Sequence, residues 1–437
     1  MNLREEREQR GIVNQFSNEK VFDLLNTWGQ KFYIWFDPSA DSLQLGNMFA
    51  VMAAIHLMKY GNKCYFLVGG ATGMIGDPSL KDAERQFLSE EQLRNNEQCI
   101  YNQLKTFLEN IKKNHDIDFE YEMVDNYDFY KDMNYLKFLW EVGKYITVNT
   151  MISKESVKKR IEDPEKSITY AEFSYMLIQW YDFLHLFQNN HVNIQLGWSD
   201  QRGNVITGME IIRKKLDKEV FCLTIPLVTD SSGKKFGKSE GNAIRIDKNK
   251  NSPYFVYQFF MNVEDALVEK LLKVFSLKSL EEIESIVAKH NKNPADRFGQ
   301  KELARWVVEV LFGKNSVHQA EKISTILFGG NDIMETIQLF TQDDLDALGE
   351  ETGAVKIEHW ILKTDNFKLK NLDLFTQSGL TSSNGEAKKL IASGSLYWNE
   401  IRVIDIQKTI TSADFINGVV LLRKWKKQFK LIRLLDV

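Results

Sequence analysis

The first half of this 437-residue chain predicts an α/β fold built on a parallel sheet. Three observations point there. Short apolar runs alternate with helix-length segments up to about residue 265. The runs are continuously apolar, as strands buried on both faces are. Glycine-bearing loops follow three of them, and ligands of open parallel sheets bind beyond such strand ends.

The elements follow in order. KFYIWFD (31–37) reads as a strand rich in aromatic residues, and MFAVMAAIHLMKYG (48–61) as a helix, apolar nearly all round, with Gly61 as its C-cap. KCYFLVGG (63–70), FEYEMVD (119–125), VNIQLG (192–197) and VFCLTIPLV (220–228) are further strand candidates. From about Val263 to Trp360 apolar residues recur at helical spacing, as in VEDALVEKLLKVF and KELARWVVEVLFG. The acidic QDDLDALGEETG (342–353) reads as a surface connection. The last part holds a short helix, EAKKLIASG, and alternating strands. Three domains are therefore expected: 1–262 around the parallel sheet, 263–365 helical, and 366–437 small and α+β.

Composition narrows the class. Hydrophobic content of 43 % and charged content of 27 % fit a soluble globular protein. No apolar stretch approaches the ~20 residues of a membrane span. The charged MNLREEREQRG lacks a signal peptide's apolar core. Cys64, Cys99 and Cys222 form no CxxC pair, which argues against a disulfide framework and favours the cytoplasm. The seven histidines show no metal-ligand spacing. Net charge is −4, but residues 366–437 carry twelve Lys/Arg against six Asp/Glu, so the tail is +6 on a body of −10. A basic tail on an acidic body suggests a polyanionic partner.

The three loops are DPSADSLQLGN (37–47), GGATGMIGDPS (69–79) and SSGKKFGKSEGN (231–242). In the first, Gly46 opens a close approach to the start of a helix, whose free N–H groups favour an anion, and Ser39, Gln44 and Asn47 are candidate donors. The third brings several lysines, mobile point charges suited to a polyphosphate. Each loop alone is commonly a turn; three at one sheet edge suggest a nucleotide site. A fourth feature lies in TYAEFSYMLIQWYDFLHL, where Tyr175, Gln179 and Asp182 stand at i, i+4 and i+7 on one helix face. A buried aspartate needs a donor, and a phenolic hydroxyl would provide one.

At these residues the chain resembles the bacterial-type tyrosyl-tRNA synthetases, a class I family. The resemblance is collinear over nearly the whole chain, through FDPSADSL, LVGGATGMIGDPS, DNYDFY, ITVNTMISKESV, YMLIQWYDF, KKFGKSEGNAIRID and SPYFVYQFFMN. SGLTSSNGEAKKLIASGSLYWNEIRV looks like a small ribosomal-type RNA-binding domain. The resemblance implies a Rossmann-like parallel-sheet catalytic domain, then a helical anticodon-recognition region and the RNA-binding domain. It implies activation of L-tyrosine with ATP and transfer to tRNA(Tyr), Mg2+ accompanying ATP, and a cytoplasmic homodimer. Tyr33 and Asp182 would hold the tyrosine hydroxyl. Asp77, Tyr175 and Gln179 would hold the ammonium group. Gln201 would lie toward the carboxyl side, and Asn126 and Thr72 would line the pocket. Ser39, Gly46, Asp200, Lys81, Arg85, Lys234 and Lys238 would contact ATP. Gln44, Asn47, Lys235 and Lys238 would be the catalytic groups of the two class signatures.

The chain departs from the pattern in several places. Gln44 and Asn47 stand where the family usually has histidines. Amides still donate hydrogen bonds but never become cationic, so re-tuned ATP handling is expected. Ile34, Trp35 and Trp198 replace small residues that the resemblance puts near the nucleotide, Arg202 replaces a tryptophan, and Ala50 takes a variable position. A second reading follows from these changes: a synthetase-like RNA-binding paralogue with impaired ATP use. A third, a synthetase for tryptophan, is opposed by the Tyr33–Asp182 pair, because indole offers a single donor.

Overall fold

A computed structural model describes residues 3–76, 88–163, 167–229, 233, 236–239, 242–328, 333–358, 370–407, 409–425 and 428–435. These residues separate into two compact units, one of 1–252 with 259–313 and the other of 253–258 with 314–437. That division differs from the three-part expectation: its boundary runs through the expected helical region.

The first unit is built on a six-stranded sheet. Its strands are β1 (Gln15–Phe16), β2 (Lys31–Phe36), β3 (Lys63–Val68), β4 (Tyr121–Asp125), β5 (Ile194–Trp198) and β6 (Phe221–Ile225), in the order β1-β6-β5-β2-β3-β4. All neighbours are parallel except β1, which runs antiparallel along β6. The chain order reverses direction between β2 and β5, so a crevice opens beyond their carboxyl ends. Every continuous apolar run predicted as a strand is one.

Helices cover the sheet: α1 (Leu3–Arg10), α2 (Lys20–Asn26), α3 (Leu45–Met58), α4 (Gly70–Ile75), α5 (Glu90–His115), α6 (Tyr127–Tyr130), α7 (Tyr135–Glu141), α8 (Val148–Ile152), α9 (Glu155–Ile161), α10 (Tyr170–Asn190) and α11 (Arg202–Leu216). α3 is buried along almost its whole length, as its apolar circumference demands, and Gly61 at φ +75 closes the turn after it. α10 starts at Thr169, whose hydroxyl accepts from Glu172 N while Glu172 reaches back to Thr169 N. Glu172 also pairs with the buried Arg160 of α9 at 3.0 and 3.1 Å, which fixes the near end of α10. The second glycine loop is not wholly a loop, because residues 70–75 form α4. Its first amides are satisfied by the side chains of Asp125 and Asn126, so the glycines enter a helix start. The hairpin β7 (Lys238–Ser239) with β8 (Asn242–Ala243) lies in the third loop. α12 (Pro253–Met261), α13 (Asp265–Phe275), α14 (Leu280–Lys292) and α15 (Phe298–Phe312) follow.

The second unit contains α16 (Lys314–Phe328), α17 (Ile333–Gln338) and α18 (Gln342–Thr352), then a five-stranded sheet. Its strands are β9 (Val355–Glu358), β10 (Leu396–Trp398), β11 (Ile401–Arg402), β12 (Val419–Lys424) and β13 (Gln428–Leu435), in the order β11-β10-β12-β13-β9. The acidic 342–353 is a helix and not a surface connection. Thr341 and Asp344 form its capping box, and Leu345 and Leu348 bury its inner face.

Candidate functional site

Residues from α4, α6 and α10 meet the ends of β2 and β4 in one hydrogen-bonded network. Tyr33 of β2 is 1 % exposed, and its hydroxyl has no partner among the described residues. Asp182 of α10 is 2 % exposed. It accepts from Asn126 Nδ2 at 3.0 Å and from Tyr130 Oη at 2.8 Å. Burial pushes its carboxyl up to about 8, and that cost outweighs the opposing pull of those two hydrogen bonds. Burial, helped by Asp182, also pushes the Tyr33 hydroxyl well above its ordinary range.

Asn126 ties the network together. Its carbonyl accepts from Ala71 N at 2.7 Å, and its amide also reaches Thr72 Oγ1 at 3.2 Å. Thr72 donates to Asp37 Oδ1 at 2.8 Å, and Tyr175 donates to Asp37 Oδ2 at 2.6 Å. Asp37 thus joins Tyr175 to Thr72, Asn126 joins Thr72 to Asp182, and Tyr130 is a second donor to Asp182; Asp37 and Tyr130 are absent from the expected set. Both lay in the motifs FDPSADSL and DNYDFY, but no spacing rule singled them out. On α10, between Tyr175 and Asp182 on the same face, Gln179 is 3 % exposed, with neither end of its amide partnered among the described residues. Such a buried, unmade pair of hydrogen-bonding groups marks a place for a polar ligand. Gln201, also buried, occupies the N-cap position of α11 without a side-chain capping bond.

The first and third loops meet at the start of α3. Leu45 N donates to Ile244 O at 2.8 Å, and Ile246 N donates to Leu43 O at 3.0 Å. Gly237, at φ +86, lies so close that an added Cβ would stand 3.3 Å from Leu45 Cβ and 3.6 Å from Gly46 N. The two loops therefore flank one helix N-terminus, where an anion is favoured. Gln44 and Asn47 stand in capping-box positions there: Asn47 Oδ1 accepts from Gln44 N at 2.9 Å, and Asn47 N donates to Gln44 O at 2.8 Å. Asn47 keeps its Nδ2 donor end outside those bonds. Ser39 is exposed beside them, its N donating to Asp37 O at 2.8 Å.

Asp77, Lys81, Arg85, Lys234 and Lys235 lie outside the described residues, as do the side chains of Asp200 and Lys238. Asp200 is in the turn Ser199–Gln201 after β5, and Lys238 pairs with Ala243 in the β7–β8 hairpin. The two substituted tryptophans stand apart. Trp35 lies beside Tyr33, ring centroids 6.3 Å apart, while Trp198 packs on Phe49 of α3 at 5.7 Å. Among the described residues no group of three or more His, Cys, Asp or Glu is placed to hold a metal ion, and no helix is long and apolar enough to cross a membrane.

Comparisons with known proteins agree with this geometry. Residues 29–329 match the family model of class I tRNA synthetases for tryptophan and tyrosine, and residues 353–432 match the C-terminal domain of tyrosine–tRNA ligases. The tyrosine–tRNA ligase of Lactococcus lactis subsp. lactis is 42 % identical over 98 % of this chain and 99 % of its own length. That of Streptococcus suis is 40 % identical over 99 % and 100 %. Among solved structures, the C-terminally truncated mitochondrial tyrosyl-tRNA synthetases of Aspergillus nidulans and Coccidioides posadasii superpose with TM-scores of 0.68 and 0.67. They are 27 % and 29 % identical, over 75 % and 74 % of this chain and 94 % and 91 % of theirs.

Proposed function

Because this chain belongs to the class I tyrosyl-tRNA synthetases, we propose a division of labour among its residues. The reaction itself is that of the family: L-tyrosine and ATP form tyrosyl-adenylate, and tyrosine passes to tRNA(Tyr) with release of AMP and pyrophosphate. Whole-chain similarity to ligases does not favour the RNA-binding paralogue.

Tyr33 and Asp182 hold the substrate hydroxyl, and Gln179 and Tyr175, with Asp77, hold its ammonium group. Asn126 and Thr72 keep the walls in place, and Gln201 approaches the carboxylate. That carboxylate attacks the α-phosphorus of ATP in line, the bond to pyrophosphate breaks, and a mixed anhydride forms. A ribose hydroxyl at the tRNA 3′ end then attacks the tyrosyl carbonyl and displaces AMP. Such chemistry requires positioning and charge stabilisation, with no covalent nucleophile from the protein. Gln44, Asn47, Lys235 and Lys238 stabilise the pentacoordinate phosphorus, and Ser39, Gly46, Asp200, Lys81, Arg85 and Lys234 hold the rest of ATP. Mg2+ would accompany ATP and offset its phosphate charge, with no described cluster of the chain holding it.

The observation that carries this reading is the pair of buried groups without a partner among the described residues, the Tyr33 hydroxyl and the Gln179 amide. The reference case for hydroxyl discrimination is itself a tyrosyl-tRNA synthetase. Tyrosine-dependent exchange of labelled pyrophosphate into ATP tests the proposal, with phenylalanine as control. Exchange with tyrosine alone is the expected result; equal exchange with phenylalanine refutes the Tyr33–Asp182 assignment.

A homodimer is supported by large apolar side chains standing exposed between α7 and the start of α10: Tyr135, Leu136, Trp140, Val148, Ile161 and Tyr170. Patches of that kind mark protein contacts. The tRNA substrate and the lack of a disulfide among Cys64, Cys99 and Cys222 support a cytoplasmic location.

A further inference from the structure

We infer that Trp35 sets the width of the amino-acid slot and excludes tyrosines substituted on the ring carbon next to the hydroxyl-bearing one. The inference rests on the tyrosine site proposed above.

Alternate residues of a strand share a face, so Tyr33 and Trp35 of β2 point the same way, with Asp37 next in that series. α10 runs over that face in the opposite sense. Asp182 lies at the Tyr33 end, its charge acting on the Tyr33 hydroxyl, and Tyr175 bonds Asp37 at the other. The Gln179 amide, without a partner among the described residues, comes between them on the helix. From residue 33 to 37 is about 13 Å of strand, and from 182 to 175 about 10 Å of helix. A tyrosine anchored at both ends lies along this path. Trp35 is then the one β2 side chain beneath it.

The indole has a defined direction. It leans over β5, where Gly197 leaves room: a Cβ built on Gly197 would come within 3.1 and 3.2 Å of the six-membered ring. Val205 of α11 also lies 3.4 Å from that same Cβ. Tyr33 is held in turn by Phe183 at a centroid distance of 5.3 Å, and Trp35 packs against the cluster that contains both. Trp35 therefore has little room to retreat toward β5. Overpacking a close-packed wall is costly, and an added large atom on the substrate ring meets that wall. A plain phenol ring does not.

The test compares tyrosine with 3-iodo-L-tyrosine in amino-acid-dependent pyrophosphate exchange, for the native chain, W35G and W35L. The native chain should prefer tyrosine, and both variants should raise the kcat/KM ratio of 3-iodotyrosine to tyrosine at least tenfold. W35L keeps an apolar side chain on the strand and reads the same widening if W35G melts early. An unchanged ratio overturns the inference. So does an equal gain for both amino acids, which would make Trp35 a plain obstruction. Isothermal titration of the two amino acids into the same proteins gives a second readout. If the native chain exchanges nothing yet binds tyrosine, the catalytic reading fails, while the binding ratio still decides the role of Trp35. If it does not bind tyrosine at all, both fall.

Discussion

Asp182, proposed to hold the substrate hydroxyl, is also a buried carboxyl whose titration couples folding to pH. Its carboxyl is raised from an ordinary 3.8 to about 8 by burial, so the folded chain holds the proton that the unfolded chain releases. A group raised on folding contributes stability that is full below the unfolded value and is lost as pH rises through the folded one. The window here is about pH 4 to 8, and Asp125, raised to about 7 chiefly by burial and then by Glu97, acts in the same direction. The ligand-free protein should therefore lose thermal stability from pH 6 to 9. D182N, which has no proton to lose there, should flatten part of that decline; a wild-type slope in D182N refutes the account. D182A should lower kcat/KM for tyrosine exchange by about a hundredfold or more, because the substrate hydroxyl is then buried without its partner. The chemistry of Asp182 was legible in the i, i+4, i+7 face. Asp37 and Tyr130 were not, because their roles depend on α4, α6 and α10 meeting in space. The exchange of histidines for Gln44 and Asn47 also looks different in three dimensions. The Asn47 amide oxygen accepts from Gln44 N at the start of α3, so N47A should destabilise the chain by about 1 kcal/mol and raise the KM for ATP together. A rise in KM with unchanged stability would separate the two roles.

Among the elements, those with a strong local period were readable and those fixed by caps were not. β2, β3 and β5 were plain as continuous apolar runs, and α3 as a long apolar segment closed by Gly61. α18 was missed because its acidic surface outweighs two leucines; the Thr341–Asp344 box was the available signal. α4 was missed because its glycines read as a turn, and the side chains that satisfy its amides come from β4, some fifty residues on. α1 shows a different feature. Its Arg7 is fully buried, with Nη2 donating to Ala53 O at 3.2 Å and with Nε and Nη1 unpartnered among the described residues. Burial lowers that guanidinium to about 9. A poorly satisfied buried charge costs more than a well-packed apolar side chain of similar size. R7M should leave stability unchanged or raise it, measured by urea unfolding. A loss of more than about 2 kcal/mol would show that Arg7 holds α3 through a contact worth a buried hydrogen-bonded charge.

At the scale of the whole molecule, residues 366–437 carry a net +6 and residues 353–432 match the C-terminal domain of tyrosine–tRNA ligases, but strand pairing crosses the expected cut at residue 365. The C-terminal sheet starts earlier, because β9 pairs in parallel with β13 from Val355 to Glu358. The other side of that sheet is also committed. Val419, Leu421 and Leu431 pack with Ile323, Ile326, Ile337, Phe340, Leu345 and Leu348 of α16–α18 in one buried cluster. A chain ending at Asp365 keeps those helices and strips away the strands that cover them, leaving an apolar face for aggregation. A chain ending at Gly313 keeps the whole first unit and, of the second, only residues 253–258. It should remain monodisperse, keep tyrosine-dependent pyrophosphate exchange within about threefold of the full chain, and lose most tRNA charging along with its salt dependence. Size-exclusion chromatography with the two assays checks this directly. A well-behaved 1–365 protein beside an aggregating 1–313 protein would show that α16–α18 draw their stability from the catalytic unit and not from the C-terminal sheet.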